Sequence, residues 1–427
     1  MTANYKKIMT ILAVIVAVGL GAWIYQLQRG MIVTNMRNSF SWGLYVAMWA
    51  FYVGTAAGGL VVSSAIYLFG AKQLKPIAKV ASLTAFIFAV GAMIVLLPDI
   101  GRPERLLYML VYANFTSMLP WDMVVLSSYA VVSAVYTYVL LRPDILSKGI
   151  TVPFVGTLMK RSMTLEELER EREKSERRAK LLAPVALPLA ILIHTVTAWV
   201  LATQLARPWW FGGVLAPTFI AAALATGPAV VILAALTAYG YKEKLQDTYR
   251  LLAKVSAAAS IIMLFIYYND FVVRLWWNSG REAEAVKLVF HNYLAIHAVE
   301  VAFILLSVAI FLSRPSSRNR LVGGSLSVIT GVFAHRFLLI PPAYNLIPLK
   351  LPVITRGSTA EWSYPIAIGE VRGSLLDPQP VFASYWKYVP SITEAAIAAG
   401  VMAFILLAFM ALIKMLPIEE PAGEVKQ

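Results

Sequence analysis

Charged and imidazole side chains gather towards one end of the apolar segments of this sequence. Ionisable groups are costly inside a bilayer, so their presence in apolar segments indicates functional sites. Imidazole and partly buried carboxylate groups can exchange protons near neutral pH. The group therefore predicts proton-coupled chemistry in one half of the protein. Its members are Asp99, Arg102, Glu104, Arg105, Asp122, His194, Asp270, Arg274, His291, His297, Glu300, His335, Arg336 and Glu394.

The elements that must position these groups are apolar segments long enough to span a bilayer. They lie at about 9–26, 42–70, 76–97, 121–141, 181–204, 213–240, 250–273, 287–312, 319–340 and 393–416. The 427 residues are 59% hydrophobic and 14% charged, which is far from the composition of a soluble domain. We therefore predict an all-α integral membrane protein of about ten transmembrane helices, with residues 1–427 forming a single membrane domain.

The distribution of positive charge predicts how the helices are oriented. The two termini and the even-numbered loops carry 24 of the 37 Lys and Arg residues. Cytoplasmic loops are enriched in these residues, so both termini are expected in the cytoplasm. The ionisable group then lies in the outer, extracytoplasmic half. The same loop distribution accounts for the net charge of +14, so nucleic-acid binding is not expected.

Two loops carry signals of their own. Thr164 and Glu167 form a capping-box pattern that predicts a solvated helix in the fourth loop. Residues 341–392 are rich in proline and aromatic residues, which predicts an ordered extracytoplasmic cap or a docking face rather than a flexible loop.

A weak internal repeat divides the chain. Trp42 and Gly58 in the second helix correspond to Trp210 and Gly227 in the sixth, at a nearly constant offset. We predict a first four-helix unit over 42–204 and a second over 213–340, with the first and last helices as flanking additions.

Three functions are compatible with the ionisable group. It could line an outward-facing quinone pocket, since quinone chemistry needs proton donors and acceptors. His194 and His297 could instead ligate a b-type haem. The group could also belong to an ion or solute transporter, although transporters usually carry polar groups near the midplane, with access from both sides. A Soret band would identify the haem protein, and solute movement without a redox partner would identify the transporter.

Several motifs resemble those of the NrfD/PsrC-type membrane subunits, in the ten-helix branch of the polysulfide reductase NrfD family. Gly43-Leu-Tyr-Val-Ala-Met-Trp-Ala-Phe-Tyr-Val-Gly-Thr-Ala-Ala-Gly-Gly resembles the second-helix signature, and Pro98-Asp-Ile-Gly-Arg-Pro-Glu-Arg resembles the turn after the third helix. His194-Thr-Val-Thr-Ala-Trp, Gly331-Val-Phe-Ala-His-Arg-Phe and Tyr388-Val-Pro-Ser-Ile-Thr-Glu resemble later signatures. Two departures are Ala50 with Trp49, where the eight-helix members have a histidine nearby, and Leu338, where an asparagine is expected.

The resemblance implies a quinone-reactive anchor, for menaquinone or a similar exchangeable quinone, without haem or metal of its own. It also implies a ferredoxin-like iron–sulfur subunit on the outer face, with or without a molybdopterin catalytic subunit beyond it. The chain contains no cysteine, so any cluster must come from such a partner.

Matching motifs give the expected site residues. His194 is expected to accept a proton from the quinone head group or hydrogen-bond to it. Asp122, Arg102 and Glu104 are expected to shape the outer end of the pocket or the path to the iron–sulfur partner. His335, Arg336 and Glu394 form the corresponding group in the second half. The second choices are Asp99, Asp270, Arg274, His297 and Glu300.

Overall fold

The computed structural model describes residues 3–37, 40–152, 155–278, 280–355, 358–367 and 388–418. In this part of the chain, ten helices are long and apolar enough to cross a membrane, which confirms the predicted architecture. The α-helices are α1 (Ala3–Arg29), α2 (Leu44–Leu68), α3 (Ala78–Ile100), α4 (Tyr108–Val111), α5 (Met118–Lys148), α6 (Leu165–Ala202), α7 (Leu215–Tyr239), α8 (Gln246–Leu275), α9 (Gly280–Asn292), α10 (Leu294–Leu312), α11 (Arg318–Leu338), α12 (Pro341–Asn345) and α13 (Ile392–Met415).

Two predicted boundaries differ from the structure. The solvated helix predicted in the fourth loop and the fifth span form one continuous helix, α6, whose capping box at Thr164 and Glu167 is present. The predicted eighth span is two helices, α9 and α10, separated at Tyr293. The α9 segment is amphipathic with a charged first half, so hydropathy alone extended the span too far towards its N-terminus.

Small residues allow the central helices to approach closely. A Cβ on Gly58 of α2 would lie 2.2 Å from the Cα of Gly227 in α7, so both positions require glycine. Gly58 and Gly227 are also equivalent positions of the internal repeat. A two-fold relation between the two repeat units would bring such equivalent residues into contact. The division into two four-helix units stays a prediction. Small residues at helix contacts are the usual means of close packing in membranes.

Outside this central contact, α1 packs on α13 at the edge of the molecule. The pair is again joined through glycines, since a Cβ on Gly19 would lie 2.6 Å from the Cα of Gly400. Most of α1 is exposed apolar surface, as expected for a helix that faces lipid.

The ends of the helices that carry the ionisable group meet at one end of the bundle, called here the predicted outer end. Aromatic side chains close it: Trp42 stacks on Trp210 at 5.5 Å, and Trp210 meets Tyr344 edge-on. The indole nitrogens of Trp209 and Trp210 donate to the carbonyls of Leu338 and Leu339. Those bonds satisfy carbonyl groups that the end of α11 leaves without helical partners.

The opposite end, called here the predicted cytoplasmic end, is held by ion pairs. Lys79 of α3 pairs with Asp144 of α5, and Lys75 pairs with Glu176 of α6 at 2.9 Å. A short antiparallel pair, β1 (Ile150–Val152) and β2 (Gly156–Leu158), precedes α6 at this end.

The predicted extracytoplasmic cap over 341–392 is described only in part. Residues 341–345 form α12, and β3 (Leu346–Thr355) pairs antiparallel with β4 (Ser358–Ala367), with Leu346 opposite Ala367. Residues 368–387 lie outside the described residues. An ordered cap or docking face therefore stays a prediction.

Candidate functional site

The most deeply buried cation of the predicted outer end lies beside a buried imidazole. His194 of α6 is 2% exposed and Arg336 of α11 is 1% exposed, and Arg336 is the largest fully buried side chain among the described residues. His194 lies eight residues before the end of α6, which is about 12 Å along the helix axis. Arg336 lies within electrostatic range of the His194 ring.

Many polar atoms of this pair have no hydrogen-bond partner in the described part of the chain. The unpartnered atoms are both ring nitrogens of His194 and the Nε and Nη1 atoms of Arg336. The guanidinium stacks on the Phe219 ring at 3.7 Å and donates once to the Phe219 carbonyl, at 3.3 Å. Buried polar groups are almost always satisfied, so this pair has hydrogen-bonding capacity to offer a ligand.

A glycine brings backbone to the same place. The His194 ring approaches the backbone of Gly54 in α2, and a Cβ on Gly54 would lie 3.8 Å from Nη2 of Arg336. We call His194 and Arg336 the central pair. Together with Gly54, they join helices α6, α11 and α2, which come from both predicted units. Helix α2 is apolar around its whole circumference and buried along its length, and so it brings Gly54 to this point.

Asp122 of α5 contacts α6 about one turn from His194. Its carboxylate accepts a hydrogen bond from the Thr197 hydroxyl, with 2.5 Å between the oxygens, and it is buried. Thr197 and His194 are three residues apart on α6 and therefore share a face. The structure thus brings together two of the predicted residues, Asp122 and His194.

A second buried cluster joins α8, α10 and α11. The Glu300 carboxylate lies 2.9 Å from Nδ1 of His297 and 2.8 Å from Nδ1 of His335. The Tyr268 hydroxyl lies 2.9 Å from Nε2 of His297. Because a carboxylate only accepts, both Nδ1 atoms donate, and a neutral His297 accepts from Tyr268. We call these four residues the Glu300 network.

The Glu300 network shares helix α11 with the central pair. His335 directly precedes Arg336, and its Nε2 atom is buried without a partner among the described residues. At the other end, Tyr268 is partly exposed, whereas Glu300 is 0% exposed. The network is therefore a continuous row of groups from the protein surface to the interior.

Glu394 is fully engaged at the start of α13. It completes a capping box with Ser391 and accepts from the backbone N–H of Asn35 at 2.8 Å and from the Tyr388 hydroxyl. Burial, followed by the charge of Glu394, raises the pKa of Tyr388, so this hydroxyl remains a donor. The carboxylate thus joins α13 to the segment between α1 and α2, and a role at a quinone site stays a prediction.

The remaining predicted residues lie nearer the surface. Arg274 pairs with Asp270 at 2.7 Å and donates to the carbonyls of Pro208 and Phe211, which fixes the loop between α6 and α7. Arg102 and Glu104 are exposed and lie apart from the central pair. Asp99 is partly buried near Glu394, and its Oδ1 atom has no partner in the described ranges. His291 is exposed on α9.

Sequence reasoning missed Gly54, Thr197 and Tyr268. Gly54 and Thr197 lie within the second-helix and His194 signatures, but those signatures do not show which side chains the two residues contact. Tyr268 lies outside the quoted motifs, and its partner His297 is on another helix. No group of His, Cys, Asp and Glu side chains suited to a metal occurs within the described residues.

Comparisons with known proteins agree on one family. The model of the polysulphide reductase NrfD family matches residues 32–348. The chain is 28% identical to a putative dimethyl sulfoxide reductase membrane subunit of Halobacterium salinarum, over 97% of this chain and 92% of that protein. It is 24% identical to a selenate reductase subunit of Mesobacillus selenatarsenatis, over 99% and 96%. It is 22% identical to the Hdr-like menaquinol oxidoreductase integral membrane subunit of Archaeoglobus fulgidus, over 62% and 59%.

Proposed function

The chain belongs to the polysulphide reductase NrfD family, and we propose that it is the membrane anchor and quinone-reactive subunit of a respiratory oxidoreductase complex. In this role it exchanges electrons between a membrane quinone, menaquinone or a similar compound, and an iron–sulfur partner on the outer face. The proposal draws on the relative named a menaquinol oxidoreductase subunit and on the two relatives named as subunits of reductases.

The observation that carries the proposal is the unpartnered central pair. A quinone supplies two-electron, two-proton redox chemistry when bound. Arg336 can donate hydrogen bonds to a quinone oxygen through Nε and Nη1, and His194 can donate to or accept from another. These atoms have no hydrogen-bond partner among the described residues, and the His194 ring only approaches the Gly54 backbone, so a quinone could bind with little loss of existing contacts.

The neighbouring polar groups can hold and move protons. Asp122 can hold a proton near His194, and its bond to Thr197 fixes the carboxylate in place. The Glu300 network can carry protons between the partly exposed Tyr268 and Nε2 of His335, because each member hydrogen-bonds to the next. The same bonds argue against haem ligation by His297, since both of its ring nitrogens are already engaged.

The iron–sulfur partner follows from the chemistry that this chain lacks. The sequence has no cysteine, so it cannot hold a cluster through thiolates. A ferredoxin-like subunit, with or without a molybdopterin catalytic subunit, would supply the clusters. The exposed Arg102 and Glu104 lie at the predicted outer end, where such a partner would dock.

The charge distribution supports placement in the cytoplasmic membrane, with both termini in the cytoplasm. The basic ends of the helices then face the cytoplasm, and the central pair lies in the outer half. Tags accessible at Gly101 from the cytoplasmic side would contradict this orientation.

Substitution of His194 tests the proposed site. His194→Ala in the assembled complex should lower quinol-dependent turnover by about 10²–10⁴-fold, the usual contribution of a positioned proton-transfer group. The matched control is His291→Ala, which removes the exposed imidazole of α9 and should leave turnover unchanged. Turnover is measured with a soluble quinol, and complex assembly is measured by co-purification of the partner subunits. Unchanged turnover in an assembled His194→Ala complex would remove His194 from the site.

A further inference from the structure

A basic cavity lies at the predicted cytoplasmic end, at the opposite end of the helices from the ionisable group. Its volume is about 360 Å³, and it lies where the start of α8 meets the segment before α3 and the end of α10. Three of its lining residues are cations, and one is an acid. The lining residues are Gln73, Asp247, Arg250, Leu251, Lys254 and Arg314.

The cations of the cavity are poorly neutralised. Arg250 reaches Asp247 only at 3.5 Å, and its Nε atom is buried without a partner among the described residues. Lys254 and Arg314 form no ion pair within the same ranges. Arg314 also has a positive φ of 54°, an unfavourable conformation for a residue other than glycine. The cavity therefore presents excess positive charge with unused donors.

The side of α8 that carries Arg250 and Lys254 becomes apolar towards the C-terminal end of the helix. Arg250, Lys254 and Ala258 are spaced four residues apart, so they lie on one side of the helix. Ile261, Ile262 and Phe265 continue the same side and are 48%, 53% and 72% exposed. The neighbouring α10 likewise exposes Leu305 and Leu312, seven residues apart, just before Arg314. Positive charge at the head of an exposed apolar stripe matches the chemistry of an acidic phospholipid.

We propose that the cavity binds the phosphate group of an acidic phospholipid, whose acyl chains lie along the exposed apolar face of α8. Arg250 and Arg314 would donate to the phosphate oxygens, and Lys254 would contribute a point charge. Basic pockets between transmembrane helices on the cytoplasmic side are suited to such head groups. Free phosphate would use the same cations but none of the apolar stripe, so the lipid is the favoured occupant.

The test compares lipid binding by two triple variants of the full-length chain. One variant is Arg250→Gln, Lys254→Gln and Arg314→Gln. The matched control, Arg172→Gln, Arg177→Gln and Lys180→Gln, removes two Arg and one Lys from the exposed part of α6. Native mass spectrometry in mild detergent follows titration with phosphatidylglycerol, phosphatidylcholine or inorganic phosphate. Because each cation near a membrane surface contributes to anionic lipid binding, the cavity variant should bind phosphatidylglycerol about 100-fold more weakly.

The expected pattern is specific in three respects. The wild-type chain and the control bind phosphatidylglycerol equally, phosphatidylcholine binds weakly to all three proteins, and inorganic phosphate does not displace the acidic lipid. Equal phosphatidylglycerol binding by the cavity variant and the control would overturn the proposal. Displacement by inorganic phosphate would also overturn it, in favour of a soluble phosphate site. Lipid binding is the only quantity measured for both variants, so the result is independent of quinone activity.

A second variant tests the proposal even if the triple cavity variant folds poorly. Asp247→Asn removes the one acid among the described residues that line the cavity and leaves the three cations in place. This variant should bind phosphatidylglycerol more tightly than the wild-type chain. Unchanged or weaker binding would contradict the proposal.

Discussion

The central pair and the Glu300 network are both buried at the predicted outer end, yet their polar atoms are satisfied to different extents. The network uses five of its six imidazole and carboxylate atoms in hydrogen bonds, and only Nε2 of His335 lacks a partner among the described residues. The central pair leaves both nitrogens of His194 and two of Arg336 without partners there.

The difference indicates a division of roles. A satisfied buried network contributes to stability, because removal of one member leaves the others unpaired in a low-dielectric interior. An unsatisfied buried pair lowers stability, and a ligand that supplies the missing partners would offset that cost. The following substitutions test that division, starting with the largest expected effect.

Glu300→Ala should lower the free energy of unfolding by about 3–5 kcal/mol, because it leaves two buried histidines without their shared acceptor. Unfolding is measured on the full-length chain in detergent. His194→Ala removes only the approach of the imidazole to the Gly54 backbone and should cost clearly less. Glu300→Gln, which preserves the shape of the side chain, should fall between the two. Equal stability losses in Glu300→Ala and His194→Ala would abolish the distinction between the two regions.

Arg336→Met tests the second residue of the central pair. The substitution removes an incompletely paired charge and keeps apolar contact with Phe219, so stability should be unchanged or increased. Quinone binding should weaken about 10–100-fold, the value of hydrogen bonds from a charged donor. Fluorescence quenching by a quinone analogue measures binding. A strongly destabilised variant would mean that Arg336 is a structural element rather than a ligand-binding one.

Thr197→Val examines the contact between Asp122 and α6. Loss of the hydroxyl leaves a buried carboxylate without the donor that it now has, at a cost of about 1–3 kcal/mol. The same variant should lower quinol-dependent turnover less than His194→Ala does, because Thr197 positions Asp122 and does not itself transfer protons. The matched control is Thr195→Val, at a partly exposed position of α6. Similar losses in both threonine variants would point to a general effect on the helix.

The smallest effect is expected at the surface. The double substitution Arg102→Gln and Glu104→Gln should change the unfolding free energy by less than about 0.5 kcal/mol, since both residues are exposed. The amount of co-purifying iron–sulfur subunit should fall, if these residues lie at the docking face. Retention of the partner at wild-type levels would place the docking face elsewhere.

Much of the fold was predictable because its signals are local. Apolar length identified all ten spanning helices, and Thr164 with Glu167 identified the start of the solvated part of α6. The extension of the eighth span into α9 was wrong, because hydropathy does not register the break at Tyr293. The family was also predictable, since its signatures are contiguous in the chain.

The candidate site was predictable in its residue types and in its end of the molecule, but not in its connections. His194 and Arg336 are far apart in the chain, as are Glu300 and His335. Glu394 was grouped with them by position, whereas its carboxylate is engaged in capping α13.

The sequence by itself determined that this chain spans a membrane and gathers costly polar groups at one end, because helix length and side-chain polarity are properties of each segment alone. Only the tertiary structure decided which of those groups are satisfied. Hydrogen-bond partners here come from neighbouring helices, and close packing at contacts such as Gly58 with Gly227 selects the neighbours. The same residue types thus form a hydrogen-bonded network around Glu300 and, at His194 and Arg336, a pair with several polar atoms that lack partners among the described residues.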